Sequence, residues 1–249
     1  MNFDDFDARM RGYEFQKETR APRGYLIARL DGRGFTRLTK ESLTLEKPFD
    51  PKFHQSMSIT LAHLFDCGFT VRLGYSQSDE ISLLFEQDGI PFDRKIYKIL
   101  SVLAGEASAK FSLEMGYHGA FDCRLSLLPD EFFVIDYFRW RQMDAARNAL
   151  SAHCYWVSRR QGLSARDATA RWSGATQAEK RAFLGENDID FDTLPYWQTR
   201  GFVASWHNYE KEAIDQKTGL LTIALRRKLA IERELPFGDD FAGWLEAKM

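Results

Sequence analysis

Between Tyr25 and Leu128 the hydrophobic period changes in a fixed order: strand, helix, strand, strand, helix, strand. That order constrains the fold more than any other feature, because it is the split βαβ arrangement of ferredoxin-like and polymerase-palm domains. Tyr25–Leu30 is an apolar run of strand character. Asp50-Pro51 supplies an N-cap and a proline at the first helical position, and Phe53, Met57, Leu61, Leu64 and Phe65 give the stripe of a helix ending near Gly68. Phe69–Gly74 and Glu80–Phe85 alternate as two antiparallel strands. A second helix, Asp93 to about Met115, is carried by Ile96, Ile99, Leu100, Leu103, Ala107 and Phe111, and Phe121–Leu128 is the last strand before a turn at Pro129-Asp130. The predicted fold class is α+β: an antiparallel palm sheet with helices on one face and an open face for substrate.

Outside this core, residues 3–20 have helical character, with Phe3, Phe6, Met10 and Tyr13 on one face. Beyond Glu131 the character changes. Phe138 to Arg160 reads as a long helix interleaving arginines with Trp140, Tyr155 and Trp156, and Ser164–Trp172 and Gln177–Leu184 as shorter ones. Phe202–Glu210 and Leu220–Arg227 form a hairpin around Asp215–Gly219. The expected organisation is a palm-like catalytic region, 1–135, and a helical appendage with the C-terminal hairpin, 136–249, packed as one unit.

Thirty-four basic against 36 acidic residues leave a net charge of −2, so an RNA partner needs a local basic patch. Cys67, Cys123 and Cys154 are widely spaced and read as buried thiols in a reducing compartment. The acidic N-terminus has no apolar signal region, and no apolar run approaches the roughly 18 residues of a membrane span, so a cytoplasmic location is expected. His54, His63, His118, His153 and His207 stand in dissimilar settings with no nucleophile motif, which argues against hydrolase chemistry.

The chemistry concentrates where two strands end. The first strand stops at Asp31, followed by Gly32 and Gly34, where the backbone can approach a ligand closely; Asp79-Glu80 opens another strand. Two carboxylates beside a glycine turn are the ingredients of an oxygen-only magnesium site that also carries phosphates. The same residues also read as a plain Asp-Gly turn and a solvated strand edge. Strand alternation keeps Asp79 and Glu80 from both facing Asp31, so one is a ligand and the other supports. Arg33-Gly34-Phe35 either offers backbone N–H groups to a triphosphate or is a turn.

Leu-Asp-Gly-Arg-Gly-Phe at 30–35 and Gln-Ser-Asp-Glu-Ile-Ser at 77–82 together resemble the paired metal-binding motifs of the tRNA(His) guanylyltransferase family and its bacterial and archaeal 3′-to-5′ polymerase relatives. The resemblance implies a nucleotidyltransferase acting on tRNA 5′ ends. ATP activates a 5′-monophosphorylated end, and the 3′-hydroxyl of an incoming nucleoside triphosphate such as GTP then attacks it. It implies that Asp31, Asp79 and Glu80 are catalytic and that Asp31, the Gly32 carbonyl and Asp79 hold two Mg2+ ions. Gly32, Arg33, Gly34, Phe35, Lys47 and Ser78 then bind nucleotide. Arg139-Trp140-Arg141-Gln142-Met143-Asp144 is similar to the family's Trp-Arg-Gln-Ala-Asp segment, although a helix facing a partner subunit would look alike; Arg139, Arg141, Asn148 and Arg200 are the expected tRNA contacts. Where tRNA(His)-specific members carry His-Ile-Asn-Asn, this chain has Ala146-Arg147-Asn148-Ala149, the pattern of the branch that repairs truncated tRNAs by templated addition. A homo-oligomer, tetramer or dimer, is expected to join basic patches from several chains. The rivals are a palm-type nucleotide cyclase and a non-catalytic tRNA-binding module.

Overall fold

The structure is a computed structural model describing residues 10, 19–214, 217 and 219–249. Most of the helix expected over 3–20 and most of the turn expected at Asp215–Gly219 lie outside the described residues. Six strands form one antiparallel sheet in the order β4-β1-β3-β2-β5-β6. They are β1 Tyr25–Gly32, β2 Val71–Gln77, β3 Glu80–Phe85, β4 Phe121–Leu128, β5 Phe202–Ile214 and β6 Leu221–Glu232.

Helices α1, Pro51–Leu64, and α2, Ile96–Met115, cover one face. The Asp50 carboxylate accepts from the Phe53 N–H at 2.9 Å, which caps α1 as its sequence leads one to expect. Ile99, Leu103, Ala107, Phe111 and Met115 recur every four residues along α2 and are buried against Leu26, Ala28, Leu30, Ile81 and Leu83 of the sheet. Alternate strand residues point the other way, and Ile27, Leu73, Leu84 and Val203 there are apolar and wholly buried.

That second face, expected to be open, is covered. Helix α3, Glu131–Arg160, crosses it with Val134, Tyr137 and Phe138, and α6, Asp239–Glu246, adds Phe241 and Leu245. Apolar side chains on both faces of the strands leave no alternative, because an uncovered face would put all of them in water. Helix α3 also starts earlier than its sequence suggests, since Asp130 is its N-cap and accepts from the Phe133 N–H at 3.2 Å. It runs unbroken through residues 135 and 136. Its far end packs Leu150, Cys154 and Val157 against Phe183 and Leu184 of α5, Gln177–Gly185, beyond the short α4, Ala165–Trp172.

The C-terminal hairpin is part of the sheet. β5 pairs with β2 from Leu73↔Ser205 to Ser76↔Phe202, closing an edge that the palm order alone would leave unpaired. Of the three thiols expected to be buried, Cys154 is, whereas Cys67 and Cys123 are partly buried; burial pushes Cys67 and Cys154 up to about 11 and Cys123 to about 12, which disfavours the thiolate. No helix among the described residues is long and apolar enough to cross a membrane.

Gly201 makes the junction between the appendage and the sheet. Its φ is +73°, and a Cβ there would lie 2.5 Å from the Ser76 carbonyl oxygen and 2.7 Å from the Tyr75 hydroxyl, which itself donates to the Arg200 carbonyl at 2.9 Å. Gly201→Ala should therefore cost about 2–4 kcal/mol in urea denaturation, through left-handed strain plus a backbone collision. A loss below about 0.5 kcal/mol, the range of a neutral surface change, would mean that the β2–β5 junction has slack.

Candidate active site

Register brings the acids together. Asp31 lies directly opposite Glu80 in the β1–β3 ladder, and the Gly32 N–H donates to the Asp79 carbonyl at 3.0 Å. Gly32 is required for this approach, since a Cβ on it would stand 2.5 Å from the Phe35 ring and 2.9 Å from the Asp79 Cβ. Ser78, at φ +48°, turns the chain, and its hydroxyl donates to Asp79 Oδ1 at 3.0 Å.

The three carboxylates are compensated unequally. Burial pushes the partly buried Asp79 up to about 6, the Asp31 and Glu80 charges adding to the effect while backbone and Ser78 hydrogen bonds oppose it. Asp31 is about half exposed, with the Arg124 guanidinium 3.8 Å away. Glu80 is gripped by Arg141: Nε and Nη2 donate to its two oxygens, each at 2.7 Å. Burial raises the Glu80 carboxyl against the opposing pull of Arg141. Among the described residues no three His, Cys, Asp or Glu side chains gather as a metal cluster; with Glu80 engaged by Arg141, the corner offers the Asp31 and Asp79 carboxylates. Hard oxygen donors with unmet negative charge suit a magnesium ion that keeps several other ligands.

Asp79 and Ser78 also line a pocket of about 270 Å3, with Lys40, Lys47, Asn148, His54, Trp156 and Trp197 around it. Lys47 Nζ donates to the Thr39 carbonyl and lies 5.7 Å from the Trp156 ring centre; burial lowers its pKa, with Lys40 in the same direction and Asp50 opposing. His54 stacks on Trp197 with ring centres 4.4 Å apart, and burial holds it neutral with a pKa of about 4. The pocket thus joins an acidic residue, two lysines and several aromatic rings, the chemistry of a nucleotide site.

Phe35 lines the same pocket, although it is buried, with its ring 4.9 Å from Phe111 and 5.0 Å from Phe121, so its side chain also anchors the turn. Several other expected residues are placed elsewhere. The Arg33 N–H is committed to the Ala120 carbonyl at 2.8 Å and is not available to a triphosphate, whereas Gly34, at φ +74°, starts the helical turn Phe35–Arg37. Arg141, expected to meet tRNA, is turned inward and only 5% exposed. Arg139 ties α3 to α6 through Asp239 and pairs within α3 with Asp136. Arg200 donates to the Leu235 carbonyl at 2.9 Å and lies on the Tyr196 ring. Asn148 is exposed at the pocket and bonded to Asp144 at 3.1 Å. His54, Lys40, Trp156 and Trp197 were missed; the aromatic residues interleaved with basic ones along α3 were the available signal for Trp156.

The tRNAHis guanylyltransferase family model matches residues 7–129, and the Thg1 C terminal domain model matches residues 133–233. A probable tRNA(His) guanylyltransferase of Mus musculus is 28% identical over 213 residues, 81% of this chain and 71% of its own length. The structure of a bacterial tRNA(HIS) guanylyltransferase (Thg1)-like protein in complex with GTP is 28% identical, with a TM-score of 0.73 over 98% of this chain and 99% of that one. A second structure of that description, in complex with ATP, is 26% identical with a TM-score of 0.77 over 98% of each chain. Two family models spanning nearly the whole sequence, and a shared overall architecture, show that the chain belongs to the tRNAHis guanylyltransferase family of nucleotidyltransferases, which add nucleotides to the 5′ end of tRNA.

Proposed function

We propose that the protein is a magnesium-dependent 3′-to-5′ nucleotidyltransferase of the templated branch, extending truncated tRNA 5′ ends with ATP as activator and GTP or other triphosphates as donors. The observation that carries this reading is the under-compensated pair Asp31 and Asp79, of which Asp79 lines a pocket with cationic and aromatic walls. Asp31, Asp79 and the Gly32 carbonyl would hold two magnesium ions. When bound, magnesium neutralises phosphate oxygens and lowers the pKa of an attacking hydroxyl. The chain's own part is to bind and orient. Lys40 and Lys47 attract the polyphosphate, His54 and Trp197 present ring faces to a base, and Asn148 offers an amide at the pocket mouth.

The protein works, in this reading, as a cytoplasmic homo-oligomer. The hairpin supports that: Leu221, Ile223 and Leu225 share one face of β6 and are 72%, 65% and 72% exposed, a stripe that a monomer leaves in water. Light scattering at micromolar concentration should report a dimer or tetramer, and Ile223→Glu should shift it toward monomer. A wild-type monomer would remove the oligomer from the proposal.

Asp31→Asn and Asp79→Asn should each reduce extension of a 5′-truncated tRNA to background with the circular dichroism spectrum retained. Undiminished extension by the double variant would refute the assignment, and a cyclic product from ATP or GTP without RNA would favour cyclase chemistry.

Asp79 gives an independent physical signature. Its folded-state pKa of about 6 lies above the ordinary 3.8, so its contribution favours the fold below pH 4 and is lost as pH rises through 6. In metal-free buffer at pH 8, Asp79→Asn should therefore be more stable than wild type by about 1–2 kcal/mol, after allowance for partial exposure, the gap narrowing toward pH 5. Magnesium should raise the wild-type melting temperature at pH 8 and leave that of Asp79→Asn nearly unchanged. Equal magnesium responses in the two proteins would exclude Asp79 as a ligand.

A further inference from the structure

Arg141 meets two carboxylates at once from the middle of α3. Besides its paired bonds to Glu80, its Nη2 donates to Asp144 Oδ2 at 2.9 Å. Asp144 accepts in turn from Arg147 on its other oxygen and from the Asn148 amide at 3.1 Å. Glu80 follows Asp79 in sequence and opposes Asp31 across the ladder; Asn148 stands at the pocket. One continuous run of charge-assisted hydrogen bonds therefore leads from the acidic turn to the nucleotide end of the site.

A guanidinium is needed for this. Its planar fork holds a carboxylate by two parallel bonds and still has donors for a second one, which an ammonium cannot do in fixed geometry. Stability alone does not account for it, because a buried ion triad adds little over apolar side chains of the same volume. With Nε and Nη2 spent on Glu80 and Asp144, and only 5% of its side chain exposed, Arg141 faces the interior and not an RNA surface.

We propose that Arg141 is a positioning residue for the nucleoside triphosphate. By holding Glu80 and Asp144 together, it keeps Asn148 at the pocket in register with the Asp79 turn. The proposal takes its substrate from the nucleotidyl-transfer reading, and it concerns binding of the triphosphate, not of tRNA.

The test compares wild type, Arg141→Lys, Asn148→Ala and the double variant. It measures magnesium-ATP affinity by calorimetry without RNA, and KM for ATP and for a 5′-truncated tRNA in the transfer assay. Arg141→Lys should weaken ATP binding and raise the ATP KM by about 10–100-fold, as loss of an orienting partner does. The tRNA KM should stay within about twofold, and the double variant should bind ATP no worse than Asn148→Ala, the non-additivity of residues acting in series. A raised tRNA KM with unchanged ATP affinity would overturn the proposal in favour of direct RNA contact, and multiplicative losses of ATP affinity would overturn it in favour of independent roles. Because Arg141→Lys leaves a buried charge, the paired variant Arg141→Met with Glu80→Gln provides a neutral, volume-matched control. Weak ATP binding at an unchanged melting temperature supports positioning; wild-type affinity in that variant overturns it. If wild type binds ATP yet adds nothing to tRNA, the transfer reading fails, and the calorimetric comparison still decides the role of Arg141.

Discussion

Antiparallel pairing of β1 with β3 sets Asp31 opposite Glu80, and the turn entering β3 adds Asp79 to the same corner. Like charges facing each other across a ladder repel, so such a corner persists only if each carboxylate is compensated. Glu80 is fully engaged by a buried arginine, Asp31 is screened by solvent and a distant Arg124, and Asp79 has only hydrogen bonds to a hydroxyl and the backbone. Unmet charge therefore accumulates at Asp79. Lys40 and Lys47 line the same pocket as Asp79, and charges of both signs around one small cavity are what a cation bridging to a polyphosphate completes.

The covering of the sheet and the chemistry of the corner come from the same helix. Helix α3 has to cross the second face because Ile27, Leu73 and Leu84 point there, and in doing so it delivers Arg141 to Glu80. The first face is fixed with equal economy. Phe35 packs into the α1–α2 layer beside Phe53 and Phe111, which holds Gly32 hard against Asp79. Core packing on the two faces thus sets the positions of the acids from both sides, while the irregular segment before α1 brings Lys47 to the pocket.

Much of this was legible in the sequence, and the failures have physical causes. The palm order came from periodicity, and the two acidic motifs from strand ends beside glycines. The second face was misjudged although its signal was present: Tyr25–Leu30 and Glu80–Phe85 are apolar in phases pointing both ways, the pattern of strands buried on both faces. Arg141 was assigned to tRNA by its neighbourhood, yet Val134, Phe138, Arg141, Ala145 and Ala149 follow one another at helical spacing, so position 141 lies on the buried stripe. Trp140, one residue earlier, falls outside that stripe and is exposed. Trp197 and His54 were invisible as a pair because they are over a hundred positions apart and meet only through the tertiary fold.

The stretch Ala146-Arg147-Asn148-Ala149 is organised from within. Arg147 and Asn148 are both drawn to Asp144, and Ala149 is buried in the layer that α3 makes with α5. Direct readout of a particular tRNA needs outward polar groups whose donors and acceptors are not already spent. Here the donors of Arg147 and Asn148 are partly spent on one carboxylate, and the alanines offer neither donor nor acceptor. A segment built this way offers little direct readout of an RNA, which supports the templated reading proposed above. In that reading the protein would supply the acidic corner, the nucleotide pocket and their relative position, and pairing with the opposite strand would supply the sequence.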